Sequence, residues 1–230
     1  MANEEEKKNA ARASLRFVRD GDVVGLGTGS TAAHAVRFLA ERVRTGLRIR
    51  GIPTSSHTGD LAKATGIPLT TLDEVQQIDV TIDGADEFDP QLNLIKGGGG
   101  ALLREKIVAS ASRLEVIIAD SSKQVQVLGK FPLPVEVIPF AQALVMRKIE
   151  ALGARVELRQ LADGKPFITD SGNHILDCHF GQIPDPPALA RKLEVMPGIV
   201  EHGLFIGMAS IVLLAKGAEV QELRRASDRG

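Results

Sequence analysis

Short apolar runs alternate with amphipathic helical stretches through the first 120 residues, and that alternation restricts the fold more than any other feature. Residues 23–26 (Val-Val-Gly-Leu), 80–83 (Val-Thr-Ile-Asp) and 115–119 (Glu-Val-Ile-Ile-Ala) read as buried strands. Between the first two, Ala32, Val36, Leu39, Ala40 and Val43 recur at helical spacing. Strands that are apolar throughout, rather than alternating with polar residues, belong to a parallel sheet covered on both faces, and parallel neighbours need helical crossovers. The spacing also predicts a helix over residues 3–19, with Asn3 as its cap and Glu6 as the reciprocal partner. Further expectations are a strand over 47–52 stopped by Pro53, a helix capped by Ser55 or Ser56, and a helix over 101–112.

Near Gly129 the pattern changes. A strand over 133–138 lies between prolines, and a helix follows over 142–152. Strands over 154–159, 167–170 and 174–178 surround turns at Asp163-Gly164 and Ser171-Gly172-Asn173, before a helix over 187–193 and a strand over 199–204. This β-α-β-β-α-β order is the split, ferredoxin-like arrangement. Residues 208–215 suit a last strand of the parent sheet. The expected fold is α/β: a Rossmann-like, mostly parallel sheet with helices on both faces (residues 1–129 and 207–230), plus an inserted smaller ferredoxin-like α+β domain (130–206) with an oligomerisation role.

Composition narrows the functions. Of 230 residues, 43% are hydrophobic and 25% charged, ordinary globular material with room for a core. Trp and Tyr are absent, so platforms for stacking bases are scarce, and the formal charge of −1 lacks the basic surplus of a nucleic-acid binder. Cys178 is the only cysteine, which excludes an intramolecular disulfide and a cysteine metal cluster. The N-terminus has no apolar signal core, and the run over 211–215 is far too short to span a bilayer. A cytoplasmic protein with no nucleic-acid or membrane partner is expected.

The chemistry gathers at the ends of the expected strands. Gly27-Thr28-Gly29-Ser30-Thr31 turns a strand into a helix, where bare backbone N–H groups and hydroxyls suit a phosphate; the alternative is a tight turn capped by Ser30 or Thr31. With Ala32 this run also fits G-x-G-x-x-A, but the next strand carries Arg48 and Arg50 rather than an acid for a ribose hydroxyl, leaving only an NADP-type site open. The ATP-type loop fails, because Lys96 precedes its glycines. Asp83 and Asp86 end a strand, where they can hold sugar hydroxyls or simply form a turn. Lys96 and the glycines 97–100 precede a helix; such a run loses much backbone entropy on folding and points to a ligand against bare backbone, with Lys96 beside a developing oxyanion. Glu105 shares a small, apolar helix face with Ala101, Ala109 and Ser112. Partial burial there raises a carboxyl pKa toward that of a useful base, the alternative being an ion pair with Arg104, Lys106 or a neighbouring helix. Lys123 follows another strand, and Lys7 lies on the apolar face of the first helix. The five histidines show no ligand spacing, and no metal is expected. An anion cradle, two carboxylates, one or two lysines and a shielded glutamate suit moving a proton on a small phosphorylated sugar without a cofactor.

Several of these segments, taken in order, closely resemble the A-type ribose-5-phosphate isomerase family over essentially the whole chain. They include residues 24–32 (Val-Gly-Leu-Gly-Thr-Gly-Ser-Thr-Ala), 81–87 (Thr-Ile-Asp-Gly-Ala-Asp-Glu), 96–106 (Lys-Gly-Gly-Gly-Gly-Ala-Leu-Leu-Arg-Glu-Lys), 119–123 (Ala-Asp-Ser-Ser-Lys) and 197–205. The resemblance implies interconversion of D-ribose 5-phosphate and D-ribulose 5-phosphate through an enediolate. It implies substrate binding at Thr28, Gly29, Ser30, Thr31, at Asp83, Gly84, Ala85, Asp86, at Lys96, Gly97, Gly98, Gly99, and at Lys123. It further implies a proton acceptor at Glu105, a catalytic part for Asp83 and Lys96, and a phosphate-reaching lysine at Lys7, with Lys8 beside it. No cofactor or metal and a homodimer or homotetramer are implied too. Ser171 and Ser210 depart from the family's common asparagine and aspartate. An NADP-dependent oxidoreductase using the first glycine turn, and a sugar-phosphate sensor with no need of Glu105, are the competing readings.

Overall fold

In the computed structural model, which describes residues 2–225, the helices are α1 (Ala2–Ser14), α2 (Ser30–Arg44), α3 (Ser56–Thr65), α4 (Leu102–Ser110), α5 (Gln142–Glu150) and α6 (Pro186–Glu194). The strands are β1 (Val23–Leu26), β2 (Arg50–Pro53), β3 (Val80–Gly84), β4 (Glu87–Phe88), β5 (Leu94–Ile95), β6 (Glu115–Asp120), β7 (Leu133–Val137), β8 (Arg155–Leu158), β9 (His174–His179), β10 (Ile199–His202), β11 (Leu204–Phe205), β12 (Ile211–Lys216) and β13 (Glu219–Arg224). The chain divides into two units, Met1–Ala85 with Arg104–Lys123 and Met208–Gly230, and Asp86–Leu103 with Gln124–Gly207.

The first unit holds a six-stranded sheet in the order β13-β12-β6-β3-β1-β2, parallel except for the β12–β13 pair. Both faces of β1, β3, β6 and β12 are buried, yet the side chains still alternate between them. Val24, Leu26, Val80, Ile82, Val116 and Ile118 pack with Ala10 and Ala11 of α1 and with Ala35, Val36 and Leu39 of α2. Val23 and Ile52 pack on the other face with Val108 of α4. Each large aliphatic side chain so buried contributes about 1.5–3 kcal/mol. Gly25 sits under α4: a Cβ there would lie 1.8 Å from Thr81 Oγ1 and 2.8 Å from Val108 Cγ1. Its missing side chain is what lets the helix rest directly on β1.

Several local expectations are corrected in this unit. Asn3 does not cap α1; it lies inside the first turn, because the helix begins at Ala2. The helix is α only to Ser14 and tightens to a 3-10 turn over Leu15–Phe17. Strand β2 starts only at Arg50, where β1 begins to pair with it through Val23. Pro53 is its last residue rather than a stop beyond it, tolerated because β2 is an edge strand. Ser55 is the cap of α3, accepting from Thr58 N. Strand β13 was not expected, since its charged residues hide the pattern. Ser210 exchanges bonds with Glu115 in both directions, Ser210 N to Glu115 O at 2.9 Å and Glu115 N to Ser210 Oγ at 3.2 Å, and so starts β12 beside β6.

The second unit holds a four-stranded antiparallel sheet in the order β10-β7-β9-β8. With α5 and α6 it runs β-α-β-β-α-β along the chain. Its core joins Leu133, Val135, Val137, Val145, Ile149, Leu176 and Leu193. A short sheet, β11-β5-β4, belongs to the same unit. The sequence pattern puts the border at residue 130, whereas residues 86–103 and 124–129 group with this second unit. Buried Glu87 is one cause, accepting from Gly129 N at 2.8 Å and Phe131 N at 2.6 Å. The strand expected over 167–170 reduces to isolated bridges, Gln160 with Pro166 and Ile168 with His174. Among the described residues no helix is long and apolar enough to cross a membrane.

Candidate active site

The chain leaves β1 for β2 on one side and returns as β3 on the other. At such a reversal the carboxyl ends of the two central strands bracket a crevice where ligands bind. Gly27 and Thr28 follow β1, and Asp83 is the last residue but one of β3. Asp83 is wholly buried, and its Oδ1 accepts from Thr28 N at 3.1 Å and Gly84 N at 2.7 Å. A Cβ at Gly27 would lie 2.2 Å from that same oxygen. Below the turn, the Thr28 hydroxyl donates to Ser55 Oγ at 2.8 Å and meets Thr54 Oγ1 at 2.7 Å, while the Thr58 hydroxyl donates to Gly27 O at 3.0 Å. The structure therefore brings Thr28 and Asp83 together, and Thr28 has both its N–H and its hydroxyl engaged within the protein. Thr54, Ser55 and Thr58 were missed as parts of this site; the density of hydroxyls just beyond a strand's carboxyl end was the available signal.

Gly29 is the N-cap of α2, at φ 111° and ψ 174°, with no side chain to satisfy the helix's first N–H groups. Those donors have no partner within any helix, and the helix dipole adds positive character. Ser30 is exposed beside them and Thr31 is buried. Gly84 and Ala85 are half-buried beyond Asp83.

Lys7 and Lys123 are both half-buried, while Lys8 is exposed. Glu6 ties together the segments that carry them. Its buried carboxylate accepts from Ser121 N at 2.9 Å, Ser121 Oγ at 2.7 Å and Gly217 N at 2.8 Å. Glu6 is thus not the helix-cap partner expected from sequence; these distant donors hold it instead. The Gly217 and Ser121 bonds lower its pKa below the ordinary glutamate value. A depressed pKa gives stability that is present above the unfolded-state value, about 4.3, and lost as pH falls through the folded-state value. Glu6→Gln should therefore melt earlier than the parent at pH 7, and the gap should close below about pH 4. Thermal melts of both proteins across pH 3–8 check this; a gap that is constant with pH would refute it.

Glu105 lies on α4 and is only 4% exposed. It shares a face with Val108, Ala109 and Ser112, the face turned to the sheet, where Ser112 Oγ meets Thr81 Oγ1 at 2.7 Å. The sequence expectation of a shielded glutamate on a small-residue stripe is what the structure has.

In the second unit, Lys96 is 2% exposed. Its N–H donates to Gly203 O at 2.9 Å, and its Nζ lies 5.4 Å from the centre of the Phe205 ring. Asp86, half-buried, accepts from Gly98 N at 2.7 Å through Oδ2. Three of the four glycines are demanded by the protein's own packing. A Cβ at Gly97, which is at φ +99°, would lie 2.8 Å from Leu102 Cβ; one at Gly98, 2.5 Å from Asp86 Oδ1; one at Gly100, 2.4 Å from Phe167 Cζ. Gly99 alone of the four is exposed. Arg159, paired with Asp177, also attaches to this loop and was missed, because nothing local to residue 159 announces partners some sixty positions earlier. Among the described residues no group of three His, Cys, Asp or Glu side chains is arranged to hold a metal ion.

Comparison with known proteins bears on what such a site does. A family profile described as ribose 5-phosphate isomerase A (phosphoriboisomerase A) matches residues 50–219. A ribose-5-phosphate isomerase A from Rhodopseudomonas palustris strain HaA2 is 55% identical over 232 residues, covering 98% of this chain and 100% of the relative. A solved D-ribose-5-phosphate isomerase in complex with phospho-erythronic acid superposes with a TM-score of 0.95 at 42% identity, covering 98% of this chain and 100% of that one. The ribose 5-phosphate isomerase A of Methanocaldococcus jannaschii gives a TM-score of 0.92 at 42% identity, over 96% and 99% of the two chains. Shared sequence along nearly the whole length, carried on a shared fold, means that this chain belongs to the ribose 5-phosphate isomerase A family.

Proposed function

We propose that the protein is an aldose–ketose isomerase that interconverts D-ribose 5-phosphate and D-ribulose 5-phosphate in the non-oxidative pentose phosphate pathway, through an enediolate and without a cofactor. The observation that carries this reading is the burial of Asp83, Lys96 and Glu105 in a chain of this family. Ionisable groups are kept out of water only at a cost, and in residues that match the family's motifs their burial supports a part in proton chemistry.

The reaction moves one proton between adjacent carbons and another between their oxygens. Asp83 assists opening of the furanose ring by transferring a proton between the ring oxygen and the anomeric hydroxyl. Asp86 orients hydroxyls while holding the glycine loop. Glu105 removes the C2 proton of the open aldose, and the C–H electron pair forms the C1–C2 double bond as the carbonyl oxygen takes up negative charge. Lys96 and backbone N–H groups of the loop stabilise that oxygen. The hydroxyl proton passes from O2 to O1, and Glu105 then returns its proton to C1 as the C2 carbonyl forms, giving the ketose; one carboxyl serves as base and then acid. The phosphate binds at the N-terminus of α2, with Ser30 and Thr31, and is reached by Lys7 and Lys123. The half-burial of Lys7 favours it over exposed Lys8. Held phosphate converts binding energy into placement of the carbon against the carboxylate.

The β7-to-β10 order supports reading the second unit as ferredoxin-like. Exposed Ile138, Phe140 and Leu144 support an oligomerisation role for residues 130–206, in a homodimer or homotetramer. A cytoplasmic location fits a pathway of soluble sugar phosphates.

Purified protein treated exhaustively with EDTA, given D-ribose 5-phosphate and no nucleotide, should produce the ketose rapidly. Folded protein that binds the sugar phosphate and does not convert it would refute the isomerase reading and favour a sensor.

A further inference from the structure

We infer that Arg159 is a positioning residue of the reaction, setting the direction of the glycine loop's backbone donors; this deepens the isomerase reading and rests on it. Arg159 directly follows β8, and its backbone is held on both sides, its N–H donating to Ile175 O at 2.8 Å and its carbonyl accepting from Phe167 N at 2.9 Å. Its guanidinium is gripped from behind by Asp177 of β9, through Nε to Oδ2 at 2.9 Å and Nη2 to Oδ1 at 2.5 Å. The remaining nitrogen, Nη1, donates to Gly97 O at 2.9 Å and Gly98 O at 3.1 Å. Both side chains are largely buried, at 14% and 19% exposure. The planar fork suits this double task, which an ammonium group cannot reproduce.

Two consecutive carbonyls held on one cation fix two peptide planes. In a trans peptide the N–H points opposite to the C=O, and the described residues contain no cis bond. The first plane can be checked. Gly97 O faces Arg159, and Gly98 N–H, on the opposite side, donates to Asp86 Oδ2 at 2.7 Å. By the same geometry, Gly98 O on Arg159 turns the Gly99 N–H away from the guanidinium, at the one exposed glycine of the run. Gly100 N–H is engaged with Gly97 O at 2.9 Å. Of the Gly98, Gly99 and Gly100 N–H groups, that of Gly99 is therefore the one available to an oxyanion, and Arg159 decides where it points. Phe167 braces the end of the loop, with its ring against Gly100 and its centre 5.9 Å from Arg159 Cζ.

A donor aimed at charge that appears only during reaction affects turnover more than binding. Arg159→Met should lower kcat by about 10²-fold, the usual size of losing one such donor, with KM for D-ribose 5-phosphate moving far less. Arg159→Lys should fall between that variant and the parent, and Asp177→Asn should show the same split more weakly. Inhibition by phospho-erythronic acid, whose carboxylate mimics the enediolate, should weaken roughly in step with kcat, while affinity for inorganic phosphate should not change. Melting of each variant reports folding, and if Arg159→Met does not fold, Arg159→Lys and Asp177→Asn carry the test. A raised KM with unchanged kcat, or activity of the folded variants within twofold of the parent, would overturn the assignment. A second readout is independent of activity. In protein labelled with ¹⁵N-glycine, the Gly99 amide should shift in Arg159→Lys, and an unmoved signal refutes the clamp. A parent protein with no isomerase activity would instead sink the function while leaving the clamp to be judged by that signal.

Discussion

Replacing Glu105 by glutamine is expected to lower turnover of D-ribose 5-phosphate by about 10²–10⁴-fold, the usual worth of a positioned general base, with little change in substrate binding. The substitution is close to isosteric. It keeps the fit of α4 against β1, where Gly25 admits Val108, and removes only the ability to take up a proton. Glu105 is 4% exposed, so bulk water cannot easily stand in for it. Steady-state kinetics should show kcat and kcat/KM falling together. Exchange of substrate hydrogen with solvent in D₂O should slow by the same factor, because both need the same proton removal. Activity of Glu105→Gln within a factor of two of the parent would remove Glu105 from the mechanism.

Replacing Gly27 by alanine should damage both stability and activity. Its Cβ would lie 2.2 Å from Asp83 Oδ1 and 2.6 Å from Asp83 Cα, so backbone as well as side chain must move. β1 and β3 are joined at this level by Gly27 N to Ile82 O at 3.0 Å, and the sheet cannot open there without losing that bond. Forcing a methyl into a packed site typically costs about 1–3 kcal/mol, which for a chain of this size lowers the melting midpoint by roughly 3–10 °C. The displaced Asp83 would also lose its bond from Thr28 N–H, and a misplacement near 1 Å costs on the order of 10²-fold in rate. Gly84→Ala is the control for stability, since nothing lies within 4 Å of its Cβ position. Calorimetry of the two variants beside the parent separates the effects; equal midpoints for Gly27→Ala and the parent would show that the crevice is looser than its geometry.

Much of the fold and of the candidate site is legible in the order of the residues. Uniform apolar runs announce β1, β3 and β6, because a strand covered on both faces has no solvent side to record. The glycine turn at 27–31 and the small-residue stripe around Glu105 are legible for a related reason: they are local patterns, set by backbone freedom and helical spacing over a few residues. The same locality misleads elsewhere. Asn3 and Glu6 have the spacing of a cap and its partner, but the donors that hold Glu6 come from Ser121 and Gly217, far away in sequence. The glycine run reads as bare backbone for a ligand, whereas three of its members answer to Leu102, Asp86 and Phe167.

The sequence by itself determined the alternating α/β layout, the strand-end positions of the candidate groups and the family, since each is written in contiguous residues. Only the tertiary structure decided that Asp83 is held by the turn after β1, that Glu6 braces the segments bearing Lys7 and Lys123, and that Arg159 bonds the carbonyls of Gly97 and Gly98. Those bonds join residues from 55 to 211 positions apart in the chain. A hydrogen bond depends on distance and direction in space, and no local periodicity encodes either across such separations.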